Sequence, residues 1–134
     1  MASLKTIISE KVQEHLERAN WNAAIAEMEK LFAVDQDPLI RVRIGNIRRK
    51  LDRERDAVRE YVLAADLFAE MGFVLKALAQ YRLALRLDPS NTDVRSKMEQ
   101  LRESYPVVQL RREPMEYRVP DEAGSRITEN SPFI

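Results

Sequence analysis

The chain of 134 residues contains no cysteine and one histidine, His15. Without thiols there is no disulfide framework, no thiolate nucleophile and no Cys-based zinc site, and a lone His excludes His-only metal clusters. It also leaves hydrolytic triads built on histidine without support. Glycine is scarce, with three residues, and no Gly-rich phosphate loop, His-Glu-x-x-His or Gly-x-Ser-x-Gly pattern occurs. No apolar run approaches the roughly 20 residues of a membrane-spanning helix. The N-terminus meets a charge at Lys5, too early for a secretory signal, so the expected location is the cytoplasm. Neither sign of charge dominates, since 22 basic residues face 22 acidic ones. A neutral chain has no bulk attraction to nucleic acid or to anionic membranes. These absences predict a protein that is not an enzyme, carries no cofactor or metal, binds no nucleic acid and inserts into no membrane.

What the chain does have is a hydrophobic share of 45% and a charged share of 33%, the balance of a folded domain. Composition changes near Tyr105. The stretch 106–134 carries Pro106, Pro114, Pro120 and Pro132, four of the six prolines. Proline removes a backbone donor and clashes with the preceding turn, so residues 106–134 read as an extended tail or linker and residues 1–105 as the helical domain.

Apolar residues recur at three- and four-residue spacing along that domain, the signature of amphipathic helices. The first stripe is Leu4, Ile8, Val12 and Leu16. The second is Trp21, Ala24, Ile25, Met28, Leu31 and Phe32, with Asn20 as its N-cap. Asp37-Pro38 reads as an N-cap with proline at the first helical position, ahead of Ile40, Ile44, Ile47 and Leu51. The fourth helix, Glu54 to Met71, holds Ala57, Tyr61, Ala64 and Phe68, and Gly72 is its left-handed stop. A fifth spans Phe73 to Leu87, with Val74, Ala77, Leu78, Tyr81, Ala84 and Leu85. Ser90-Asn-Thr-Asp93 reads as a capping box before Val94, Met98, Leu101 and Tyr105. The expected fold class is all-α: about six helices joined by short links into antiparallel hairpins.

The order Ile44-Gly45, Leu51, Ala57-Val58, Tyr61, Ala64 resembles the tetratricopeptide repeat, which places Leu-Gly in its first helix and Ala, an aromatic and Ala in its second. The stretch from Gly72 through Ala77, Tyr81 and Ala84 to Pro89 is similar to the second half of such a repeat. A weaker copy is Trp21, Ala24, Met28 and Leu31. The resemblance covers about residues 4–105. Small residues at helix crossings let backbones approach, and Gly45, Ala57, Ala64, Ala77 and Ala84 fill that place. The period is uneven: Ala24 to Ala57 is 33 residues and Ala57 to Ala77 is 20. The helix from Glu54 must therefore close one repeat and open the next.

His15, one turn from Val12, reads as a packed helical residue rather than a ligand. Acidic pairs such as Glu14 and Glu17 lie on solvated faces with no cleft to desolvate them. The asymmetric feature is the stretch 41–59, with eight basic and three acidic residues, a net +5 in a neutral chain. The family resemblance implies an α-solenoid whose concave groove is lined by the first helix of each pair. Carried over by position, the groove residues are Leu39, Val42, Arg43, Asn46, Arg49 and Lys50. Gln13 joins them, together with Thr6, Ser9 and Glu10 of the first helix. Such a groove would take an acidic peptide or partner protein, Arg supplying forked donors to carboxylates and Asn46 holding backbone. The alternative is a solvated basic face balanced by Glu54, Asp56 and neighbouring acids.

The expected function is thus a non-catalytic protein–protein interaction module, a scaffold or adaptor in complex assembly. One alternative is a structural subunit of a homo- or hetero-oligomer that uses its tail as a docking arm. Another is the N-terminal regulatory segment of a longer multidomain signalling protein. Met115-Glu-Tyr117-Arg-Val119 alternates apolar and polar between two prolines, which is strand periodicity without a partner strand. Residues 107–119 are therefore expected to lie extended on a helical surface, anchored by Met115, Tyr117 and Val119. A plain spacer is the alternative.

Overall fold

A computed structural model describes residues 2–106. The described residues form six α-helices and no strand: α1 (Leu4–Glu17), α2 (Trp21–Val34), α3 (Pro38–Lys50), α4 (Glu54–Glu70), α5 (Val74–Leu87) and α6 (Thr92–Ser104). The all-α expectation is met. The tail anchors Met115, Tyr117 and Val119 lie outside the described residues. The chain divides into two compact units, Met1–Ala64 and Ala65–Ile134, and the boundary falls inside α4.

In the first unit, Ile8 and Val12 of α1, Ile25, Met28 and Leu31 of α2, and Ile40, Ile44 and Ile47 of α3 form one buried cluster. Leu16, Trp21, Phe32 and Leu51 pack at its margin. Each fully buried aliphatic side chain is worth about 1.5–3 kcal/mol, so this cluster supplies most of the drive for the three helices to pair. Leu4, expected on the first stripe, is 60% exposed. The antiparallel α2 runs out where Lys5 meets Asp35 at 2.9 Å, so Leu4 has no facing turn. The hydrogen bond to Asp35 and then its charge raise the pKa of Lys5 above its ordinary value.

The turns show why α4 is unusual. Three links have the same build: Arg18-Ala19-Asn20, Leu51-Asp52-Arg53 and Met71-Gly72-Phe73. Each has a left-handed middle residue, with φ of 57° at Ala19, 61° at Asp52 and 85° at Gly72. Each closes with an amide reaching back five residues: Asn20 to His15 at 2.8 Å, Arg53 to Arg48 at 2.8 Å and Phe73 to Phe68 at 2.9 Å. That bond satisfies carbonyls the helix end would leave unpaired. Gly72 was legible as such a stop; Ala19 and Asp52 were not, because L-residues adopt this region at a cost. The other two links use proline. Asp37 caps α3, its carboxylate accepting from the Leu39 amide at 3.0 Å with Pro38 at the first position. Pro89 lies in the link before α6.

Two caps differ from expectation. Asn20 stands at the N-cap of α2, but its side chain makes no capping bond; its backbone amide donates to His15 at 2.8 Å. At α6 the cap is Asn91, not Ser90. Asn91 Oδ1 accepts from the Val94 amide at 3.1 Å while its amide donates to Asp88 at 3.2 Å. An amide side chain can serve both ends at once, which a hydroxyl one residue earlier cannot reach.

Helices α3 and α4 cross at Gly45. A Cβ built there would stand 2.8 Å from Cε1 of Tyr61 and 3.2 Å from Cβ of Glu60. Glycine at this point is a packing requirement. In the second unit Phe68, Val74, Ala77, Leu78, Tyr81, Ala84, Val94 and Met98 are buried. Leu83, off the expected α5 stripe, is buried as well.

Candidate functional site

The buried stripe of Ile40, Ile44 and Ile47 fixes how α3 turns its other residues. Leu39, Val42, Arg43, Asn46, Arg49 and Lys50 recur at three- and four-residue spacing, which places them along one face beside it. Leu39, Arg43, Asn46 and Lys50 are exposed, and Val42 and Arg49 are half-buried. These six of the ten predicted groove residues thus share one helix face; Thr6, Ser9, Glu10 and Gln13 lie on α1. Gln13 is exposed, and its amide donates to Glu17 at 3.2 Å in the same helix.

Lys50 Nζ lies 4.9 Å from the centre of the Trp21 ring, a cation–π contact that fixes the ammonium at the edge of the face. Asn46 Oδ1 accepts the Tyr61 hydroxyl at 2.6 Å. One acceptor site of its oxygen is thus used inside the fold, while its exposed amide can donate to a ligand.

The basic stretch is not one surface. Arg41 and Arg48 turn inward and are only 13% and 18% exposed at their side chains. Arg41 donates to Glu60 at 3.1 Å and to Glu29 at 2.9 Å, and Arg48 donates to Glu60 at 3.3 Å. Arg41 also stacks 4.3 Å from the centre of the Phe32 ring. Burial alone would lower the Arg41 pKa, but its hydrogen bonds to Glu29 and Glu60 outweigh this and hold it above the ordinary value. Buried charges persist only when paired and hydrogen-bonded, so this four-residue cluster is structural. Of the acids expected as partners, Asp56 binds Arg59, the last basic residue of the stretch, at 2.7 Å within α4. Glu29 and Glu60 sit 12 and 19 residues from Arg41. No helical spacing announces such pairs, which is why the sequence did not reveal them.

The second unit holds a different feature. Tyr81 donates to Asp66 Oδ1 at 2.5 Å, and Lys97 Nζ bridges both Asp66 oxygens at 3.4 and 3.1 Å. Burial first, then the bond to Asp66, push the Tyr81 phenol well above its ordinary pKa. Beside this triad lies an open cleft of about 350 Å³, walled by Asp66 and Glu70 of α4, Tyr81 of α5, and Lys97, Leu101 and Ser104 of α6. Apart from Asp66 and Glu70, one turn apart on α4, nothing in the sequence marks this cleft.

Among the described residues no group of three or more His, Cys, Asp or Glu side chains could hold a metal ion. No helix among them is long and apolar enough to cross a membrane. No family model matches the chain, and no curated protein matches it.

Proposed function

We propose that the chain is a protein–protein interaction module of tetratricopeptide-like build, and that the exposed face of α3 receives an acidic segment of a partner protein. The observation that carries this reading is the division of the basic residues. Arg41 and Arg48 are neutralised inside the fold by Glu29 and Glu60, while Arg43 and Lys50 remain exposed on one face with Leu39 and Asn46. Two cations, an amide donor and an exposed leucine (51% accessible) suit a peptide that alternates carboxylates with apolar side chains. Arginine adds geometric selectivity for carboxylate, and lysine adds a point charge. The resemblance of the sequence to the repeat family supports the same face, because the first helix of each pair lines the groove there.

An array of acidic, neutral and basic peptides probed with the full chain tests this. Acidic peptides should be retained, and Arg43→Glu/Lys50→Glu should lose them while melting as the parent does. Retention that ignores peptide charge, or survives the double reversal, would sink the reading.

A further inference from the structure

The exposed face of α3 carries a spacing as well as a charge. Arg43 and Lys50 are seven residues apart, two turns of helix, so they stand nearly in line and about 10.5 Å apart along the axis. One end of that span is held in place. The Lys50 ammonium lies 4.9 Å from the centre of the Trp21 ring, a contact that limits where its charge can go. Between the two cations stands Asn46, three residues after Arg43 and four before Lys50. Its oxygen accepts from the Tyr61 hydroxyl at 2.6 Å, so the amide nitrogen, on the other branch of the side chain, is the donor left at this exposed position. The face presents cation, amide donor and cation in order.

We infer that the partner segment received here is a polyproline II chain with two acidic residues three positions apart. One carboxylate sits on Arg43, the other on Lys50, and a backbone carbonyl between them accepts from Asn46. The inference rests on the reading of this face as a surface for acidic segments, and it specifies the ligand. Two observations select the conformation. The first is the span. A polyproline II chain makes a turn every three residues, so side chains three apart share one side and lie about 9 Å apart, close to the distance between the cations. A β-strand returns to the same side every second residue, at about 6.6 Å or about 13 Å, and misses the span by roughly 3 to 4 Å. The second is the amide of Asn46. An α-helix with acids seven residues apart would match the span, but its carbonyls are spent on its own hydrogen bonds. A polyproline II backbone has no internal hydrogen bonds, so its carbonyl is free to meet the amide. The two cations also differ in what they ask of the ligand: Arg43 offers a planar fork to one carboxylate, and Lys50 a point charge to the other.

Fluorescence anisotropy with the full chain and labelled, end-capped peptides of equal charge tests this. Three proline-rich probes carry two glutamates two, three or four positions apart, and a fourth, helical probe carries them seven apart. The probe with three-residue spacing should bind about tenfold more tightly than each of the others, the difference made by one charge-assisted hydrogen bond. Arg43→Gln and Lys50→Gln, each at an exposed position, should melt as the parent does. Each should also erase the preference among spacings, because a single cation holds a single carboxylate wherever the second one falls. Equal affinity for all four probes would overturn the inference while leaving the acidic-segment reading in place. Tighter binding of the helical probe would do the same, as would a spacing preference that survives either substitution. Failure of every acidic probe to bind would overturn that reading and the inference together.

Discussion

Both units fasten a buried tyrosine to the helix that precedes it, and they do so with different chemistry. In the first unit Tyr61 of α4 donates to Asn46 of α3 at 2.6 Å. In the second, Tyr81 of α5 donates to Asp66 of α4 at 2.5 Å. Donor and acceptor are 15 residues apart in both, and the second pair follows the first by 20 residues. The first acceptor is a neutral, exposed amide. The second is a carboxylate, shared with Lys97 beside a cleft. The positions before the acceptors differ in the same way. Gly45 is forced by the approach of Tyr61, whereas 20 residues on the chain tolerates Ala65, fully buried. One geometric device thus serves a close-packed crossing in one unit and an electrostatic cluster in the other.

The sharpest way to break the first unit is at its buried cluster of Arg41, Arg48, Glu29 and Glu60. Glu60→Ala should cost about 3 kcal/mol or more, because Arg41 and Arg48 are left buried with one carboxylate fewer. Chemical denaturation reads this directly, and a loss below about 1 kcal/mol would mean the cluster is solvated.

The glycine comparison comes next. Gly45→Val should destabilise by about 2 kcal/mol through overpacking against the Tyr61 ring. Ala65→Gly should lose about 1 kcal/mol for the opposite reason, helix propensity and lost packing. Equal melts for Gly45→Val and the parent would remove the close crossing.

The tyrosines themselves should separate by acceptor. Tyr81→Phe should cost about 1.5–2 kcal/mol and Tyr61→Phe about 1 kcal/mol, since bonds to charged groups are stronger. They should also separate by pH. The folded-state pKa of Tyr81 is raised, so the stability from its neutral phenol is complete below about pH 10, the unfolded value. It is lost as pH rises further, because the unfolded chain releases the proton first. The gap between parent and Tyr81→Phe should therefore narrow above that pH; a gap that widens would contradict the raised pKa.

The smallest effects lie in the matching turns. Ala19→Gly should stabilise by up to about 1 kcal/mol by removing an L-residue from the left-handed region, and Gly72→Ala should destabilise by about the same amount. Thermal melts of the two variants should move in opposite directions.

Much of this was legible beforehand. Ile40, Ile44 and Ile47 announced the buried side of α3, and by exclusion the side that carries Arg43 and Lys50, because burial follows a 3.6-residue period that any sequence displays. Asp37-Pro38 and Gly72 announced helix ends through local backbone chemistry. The 20-residue spacing from Ala57 to Ala77 pointed to a double role for α4, but not to the matching turns at Asp52 and Gly72. Local periodicity and capping belong to a few adjacent residues, so the sequence by itself determined the six helices and their apolar sides. Only the tertiary structure decided which charges are internal and which are exposed. Arg41 and Arg43 are two residues apart and look alike in the sequence, yet one meets Glu29 and Glu60 from other helices and the other faces outward. The same holds for Asp66, which gains Tyr81 and Lys97 from 15 and 31 residues away. Pairing of charges across helices depends on where two elements cross, a quantity with no sequence period, and that crossing created both the internal cluster and the acidic cleft.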